Sequence, residues 1–161
     1  MFTLKNLLFP SIQFEIRSKK KPAEIASLLA EETTDDLWGD GRFRGKVSPD
    51  GFKLIQLPPR STRNSATPVI TGSISAEGEE TAVSIKIRMV LFVQAFFTLW
   101  SLPLPFIFII GILSSITDGL GEGFLFIIMP IIFFAVEQLI FYLGFWRPAK
   151  KTKEWFETWL A

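Results

Sequence analysis

Residues 90–113 read VLFVQAFFTLWSLPLPFIFIIGIL, and residues 124–146 read FLFIIMPIIFFAVEQLIFYLGFW. The first run carries no formal charge, and the second carries only Glu137. Each meets the length of about 20 apolar residues that a helix needs to cross a bilayer. Residues 114–123 (SSITDGLGEG) form a short polar break between them. The pattern predicts a helix–loop–helix hairpin spanning a membrane. Both runs are apolar on all sides, so hiding them inside a soluble protein would take more covering chain than the rest of the sequence supplies. Pro103 and Pro105 interrupt the first run and Pro130 the second. Membrane helices accept such residues as kinks.

The charges flanking the hairpin orient it. Lys86 and Arg88 precede the first run, and Arg147, Lys150, Lys151 and Lys153 follow the second, whereas the break offers only Asp118 and Glu122. Positive residues stay on the cytoplasmic side. The expectation is a multi-pass protein of the inner (plasma) membrane with both termini cytoplasmic. The stretch MFTLKNLLFP at residues 1–10 has too short an apolar core for a secretory signal, so the N-terminus is expected to be retained.

Within the hairpin, Glu137 stands out. Counted from Trp146 it lies roughly 13 Å deep at 1.5 Å per residue, where a lone carboxylate is costly unless protonated, paired or hydrated. Thr98 and Ser101 reach a similar depth on the first run. Glu137, Gln138, Thr98 and Ser101 are therefore the candidate intramembrane polar cluster. Either it is a proton- or ion-linked site, or it joins helices within the hairpin or an oligomer.

The sequence before the hairpin is of another kind. Ile12, Phe14 and Ile16 alternate with Gln13, Glu15 and Arg17, as in a strand with one buried face. Pro22–Thr33 reads as a short amphipathic helix, with Pro22 in its first turn and Ile25, Leu28 and Leu29 on one side. A loop follows at 34–41. Strands are expected at 43–47, 52–57, 69–75 and 81–88. The first two are joined by Ser48-Pro49-Asp50-Gly51, where Pro and Gly supply turn dihedrals. The prediction is an α+β domain over residues 1–88: a five-stranded, mostly antiparallel sheet with one packed helix. Residues 89–146 form the hairpin, and 147–161 an amphipathic C-terminal helix. In that helix Trp155, Phe156, Trp159 and Leu160 share a face, with Lys150 and Lys151 beside it. Trp155, Phe156, Trp159, Lys150 and Lys151 are candidate interfacial anchors at the headgroups, or the apolar face docks on the sheet.

Composition narrows the chemistry. The 161 residues include 17 Phe and 5 Trp, but no Cys and no His. Disulfides and thiolate zinc sites are excluded, and the usual general base near neutral pH is missing. No phosphate-binding glycine loop or metal-ligand spacing is present, and no cofactor is expected. Net charge is +1, so no global field attracts nucleic acid. A local basic surface is expected from Lys19–Lys21 with Arg42, Arg44, Arg60 and Arg63, attracted to anionic headgroups. Asn64, between Arg63 and Ser65, joins Arg42, Arg44, Arg60 and Arg63 as the candidate surface for binding.

Phe43-Arg44-Gly45-Lys46-Val47, Gly51-Phe52-Lys53-Leu54, Arg63-Asn64-Ser65 and Pro68-Val69-Ile70-Thr71-Gly72-Ser73-Ile74 form a pattern. It resembles that of small, uncharacterised bacterial membrane proteins in which a sheet domain precedes a two-helix hairpin and a short basic C-terminal helix. The resemblance implies architecture and brings no activity. The functional expectation is a non-enzymatic membrane protein whose cytoplasmic domain binds a protein partner or further copies of itself. The alternatives are an oligomeric transporter or channel subunit that uses Glu137, and an immunity or accessory protein of a toxin or secretion system.

Overall fold

The alternation at the start of the chain builds β1 (Ser11–Ser18). It pairs antiparallel with β6 (Glu80–Arg88), setting Ile12 opposite Ile87, Phe14 opposite Ile85 and Ile16 opposite Val83 on one face. The computed structural model describes residues 10–36, 41–57, 67–117 and 119–160. The expectations for the N-terminal stretch, for Arg60, Arg63 and Asn64, and for the charge at Asp118 lie outside those residues.

Helix α1 (Pro22–Glu31) begins on Pro22, whose missing N–H costs nothing in a first turn, and buries Ile25 and Leu29. After it come β2 (Thr33–Thr34), β3 (Phe43–Ser48), β4 (Gly51–Gln56) and β5 (Val69–Glu77). The sheet order is β1-β6-β5-β4-β3-β2. All its pairs are antiparallel except β2–β3.

The described residues thus form a six-stranded α+β sheet, one strand more than the sequence predicts. The addition is the threonine pair assigned above to the helix end and the loop. A two-residue strand is too short to display a period. It is held instead by parallel pairing to Phe43 and Arg44 and by the Thr33 hydroxyl, which donates to the Leu29 carbonyl at 2.7 Å.

Residues 1–90 and 144–161 make one unit, and 91–143 make another. The first is therefore discontinuous in sequence. Its C-terminal part is helix α5 (Arg147–Leu160), which packs on the same side of the sheet as α1. Phe156 lies fully buried between the rings of Phe43 and Phe52, stacked on them at centroid separations of 5.9 and 5.8 Å. Phe145, Ala149 and Leu160 are buried with it. Thr152, also buried, donates to the Gln56 side-chain oxygen at 3.0 Å. Gly72 is opposite Phe52, and a Cβ there would run into the Phe52 ring. This glycine makes room for the aromatic stack.

The second unit contains α2 (Leu91–Ser101), α3 (Leu104–Thr117) and most of the run begun by α4 (Leu120–Phe141). Two helices, Leu91–Thr117 and Gly123–Leu160, are long and apolar enough to cross a membrane, and only 6% and 17% of their most apolar stretches are buried. A core helix of a soluble domain would be mostly covered. The first run breaks at Leu102–Pro103, as its prolines predict.

The helices extend further into the polar break than the composition suggests. Ser115 and Thr117 donate back to the carbonyls of Gly111 and Leu113, which lets hydroxyl residues stay helical. At this end α3 and α4 approach closely. A Cβ on Gly123 would overlap the Ser115 hydroxyl and the Gly111 carbonyl. Small residues permit such contacts between apolar helices. The boundary expected at Arg147-Pro148 is instead a widened π turn, Tyr142–Trp146, continuing directly into α5. Pro148 has no N–H for the ladder, and a widened turn takes up such an interruption.

Candidate functional site

Phe133, Glu137 and Phe141 recur every four residues on α4, so they share one face. Across from them stand Phe97, Trp100 and Ser101 of α2. The Phe97 and Phe141 rings meet edge to face at 4.9 Å, and those of Trp100 and Phe133 stack at 6.1 Å. Between these aromatic pairs lies the polar contact: the Ser101 Oγ is 2.8 and 2.7 Å from the two carboxyl oxygens of Glu137. Glu137 is 3% exposed.

Ser101 ends α2, just before the break. Its hydroxyl is also 2.8 Å from the Phe97 carbonyl. Pro103 and Pro105 cannot donate to the carbonyls of Leu99 and Ser101, so both lose their place in the helical ladder. A serine hydroxyl has one proton. An ionised Glu137 receives it, whereas a protonated Glu137 donates its own to Ser101 and leaves the serine proton to Phe97. A hydrogen bond joins the pair in either state, and passing from one state to the other takes up or releases one proton. No buried side-chain nitrogen or oxygen of the described residues lacks a partner.

Of the four expected cluster members, the structure joins Glu137 and Ser101. Thr98 donates within its own helix, to the Gln94 carbonyl at 2.9 Å. Gln138 follows Glu137, so the helix turns it about 100° away. The aromatic layers on either side were missed in the sequence, although the four-residue spacing of Phe133, Glu137 and Phe141 carries them.

The candidate anchors divide. Phe156 is corrected: it belongs to the core of the sheet domain and has no surface left for headgroups. Trp155 and Trp159 are half-buried and stack on each other at 4.9 Å, while Lys150 and Lys151 are exposed.

The expected basic surface also divides. The Arg42 guanidinium lies over the Trp155 ring at 4.9 Å and 3.9 Å from Glu32, so it serves the helix side of the domain. Lys20 donates to the Trp159 carbonyl at 3.3 Å. Arg44, by the pleat of β3, projects from the opposite face, in register with Ile55.

The class so defined is an α+β domain joined to a pair of long, apolar, largely uncovered helices. Comparison with protein-family models, with curated proteins and with solved structures finds no match.

Proposed function

We propose that this chain is a non-enzymatic integral membrane protein whose α+β domain is a binding or assembly module held at the bilayer surface. One observation carries the reading: sequence on both sides of the apolar helices belongs to one folded unit. A single domain cannot be divided by a bilayer, which favours two apolar helices that cross it and return the chain to the side it left. Met89 and Val90 alone separate the last strand from the first apolar helix, and the returning helix supplies Phe145, Ala149, Phe156 and Leu160 to the domain's core. The exposed apolar side chains from Leu91 to Leu143 match a lipid surround. The basic flanks favour a cytoplasmic domain in a bacterial inner membrane, in keeping with the resemblance to small bacterial membrane proteins.

The test uses the absence of cysteine. Single cysteines at Ser73, in the domain, and at Gly119, between the helices, are labelled from each side of sealed vesicles. Labelling from opposite sides, with the protein resisting alkaline carbonate extraction, is the expected result. Labelling of both from one side, or extraction, refutes the hairpin. The module reading further expects defined self-assembly or capture of a protein partner from native membranes; a monomer that captures none counts against it.

A second reading, a proton- or ion-linked subunit, draws on the Ser101–Glu137 pair at a broken helix. Proton- or cation-dependent flux into proteoliposomes that Glu137→Gln abolishes would favour it.

A further inference from the structure

Helices α1 and α5 cover one face of the sheet, and the pairing register reads out the other. One row of that face runs Arg44, Ile55, Val69, Arg88 and Ser11; the next but one along the strands runs Lys46, Lys53, Thr71, Lys86 and Gln13. The row between them, Gly45, Leu54, Ile70, Ile87 and Ile12, faces the core. Arg44, Lys46, Lys53, Lys86 and Arg88 therefore share one surface. At about 4.8 Å between strands and 3.4 Å per residue it measures roughly 14 by 7 Å. Neither row contains an acidic residue. Lys46, Lys53, Lys86 and Arg88 are exposed, and Arg44 is half-buried. None of these cations pairs with a carboxylate of another described residue.

The opposite end of the same face differs. There Arg17 lies 3.8 Å from Glu15 and 3.7 Å from Glu77, with Glu80 in register with Glu77. Unpaired positive charge is thus gathered at the end where β6 leads to Met89 and the first apolar helix.

We propose that this open face is a docking surface for the anionic headgroups of phospholipids. The inference rests on the membrane-anchored reading above and names that module's ligand. Covalent reach keeps Arg88 within about 10 Å of Leu91, and tethering raises the local headgroup concentration without any new contact. Charge complementarity supplies the rest. A second copy is a poorer occupant. A two-fold contact between copies through this face would set the patch against itself, and like charges would face one another. Nucleic acid is poorer still. Between the cations stand Ile55, Val69 and Thr71, with no aromatic ring on which a base could stack.

The experiment uses the full chain in nanodiscs with a fluorophore on Ser73→Cys, an exposed position on this face. Spin-labelled headgroups act as quenchers, in discs of phosphatidylcholine alone or with phosphatidylglycerol. Quenching is expected to be about threefold stronger with the anionic lipid. It should collapse between 0.1 and 1 M salt, as the screening length falls from about 10 to about 3 Å. It should also be lost in Lys46→Gln/Lys53→Gln/Lys86→Gln, with thermal melting matched to the parent. The glutamate triple variant, which adds repulsion, should lie below even the neutral discs. Equal quenching in both lipids, or quenching that survives the substitutions, overturns the proposal. So does energy transfer between labelled copies without headgroup quenching, which assigns the face to a second copy. A chain that fails to enter discs refutes the anchored reading itself. A chain that enters them but stays unquenched refutes only the lipid-facing surface.

Discussion

Phe156→Ala tests whether α5 is part of the domain or a float on the headgroups. The ring is wholly buried and stacked between Phe43 and Phe52. Truncating a buried phenylalanine to alanine costs about 3–5 kcal/mol, the lost transfer energy plus the cavity. At about 1.4 kcal/mol per tenfold, that lowers the folding equilibrium by roughly two to four powers of ten. A domain of ordinary stability holds only about 5–15 kcal/mol, so much of the margin is removed. For a domain of this size each kcal/mol shifts the melting temperature by about 4–8 °C, giving a fall of at least about 12 °C. The assay is thermal unfolding of the full chain in nanodiscs, followed by hydrogen exchange of β3, β4 and β5. Their amides should lose protection together, because the substitution acts on the sheet. Phe156→Leu, which keeps most of the volume, should cost under about 1.5 kcal/mol. If Phe156→Ala leaves sheet protection intact and alters only membrane partitioning, the packing argument fails.

Other perturbations separate the remaining contacts. Gly72→Val drives a side chain into the Phe52 ring and should destabilise the domain by about 1–3 kcal/mol, read from the same melting curve. Gly123→Leu cannot fit against Ser115 and Gly111, so it should part α3 from α4; disulfide trapping between engineered cysteines on the two helices should fall sharply. Ser101→Ala leaves the buried Glu137 without its partner and should cost about 1–3 kcal/mol in denaturant titration, whereas Glu137→Gln keeps a hydrogen-bonding group at the site and should cost less.

The sequence carried some of this architecture locally. Period-two alternation located β1 and the longer strands, and Ser48-Pro49-Asp50-Gly51 turned β3 into β4, with Ser48 donating to the Gly51 carbonyl at 2.8 Å. The apolar helices declared themselves by length. What escaped depends on partners distant in the chain. Thr33–Thr34 becomes a strand only because β3 lies beside it. Phe156 reads as well for a headgroup interface as for a core until Phe43 and Phe52 bracket it. The hydroxyls of Ser115 and Thr117 suggested a loop, yet bonding back to their own helix keeps them in it. Glu137 was legible as an oddity, and Ser101 as one of several residues at its depth. Choosing Ser101 over Thr98 required the rotation of α2 about its axis. The basic face was the least legible, since Lys46, Lys53 and Lys86 meet only through strand register.

The discontinuity of the domain also sets an order in time. Synthesis runs from the N-terminus, and the strands emerge well before α5. Until then Phe43 and Phe52 have no Phe156 between them, and the sheet's apolar side is incompletely covered. The ribosome must deliver the whole stretch from Leu91 to Leu143 before the closing helix exists. Every copy whose sheet is closed by α5 has therefore already been synthesised through its apolar helices.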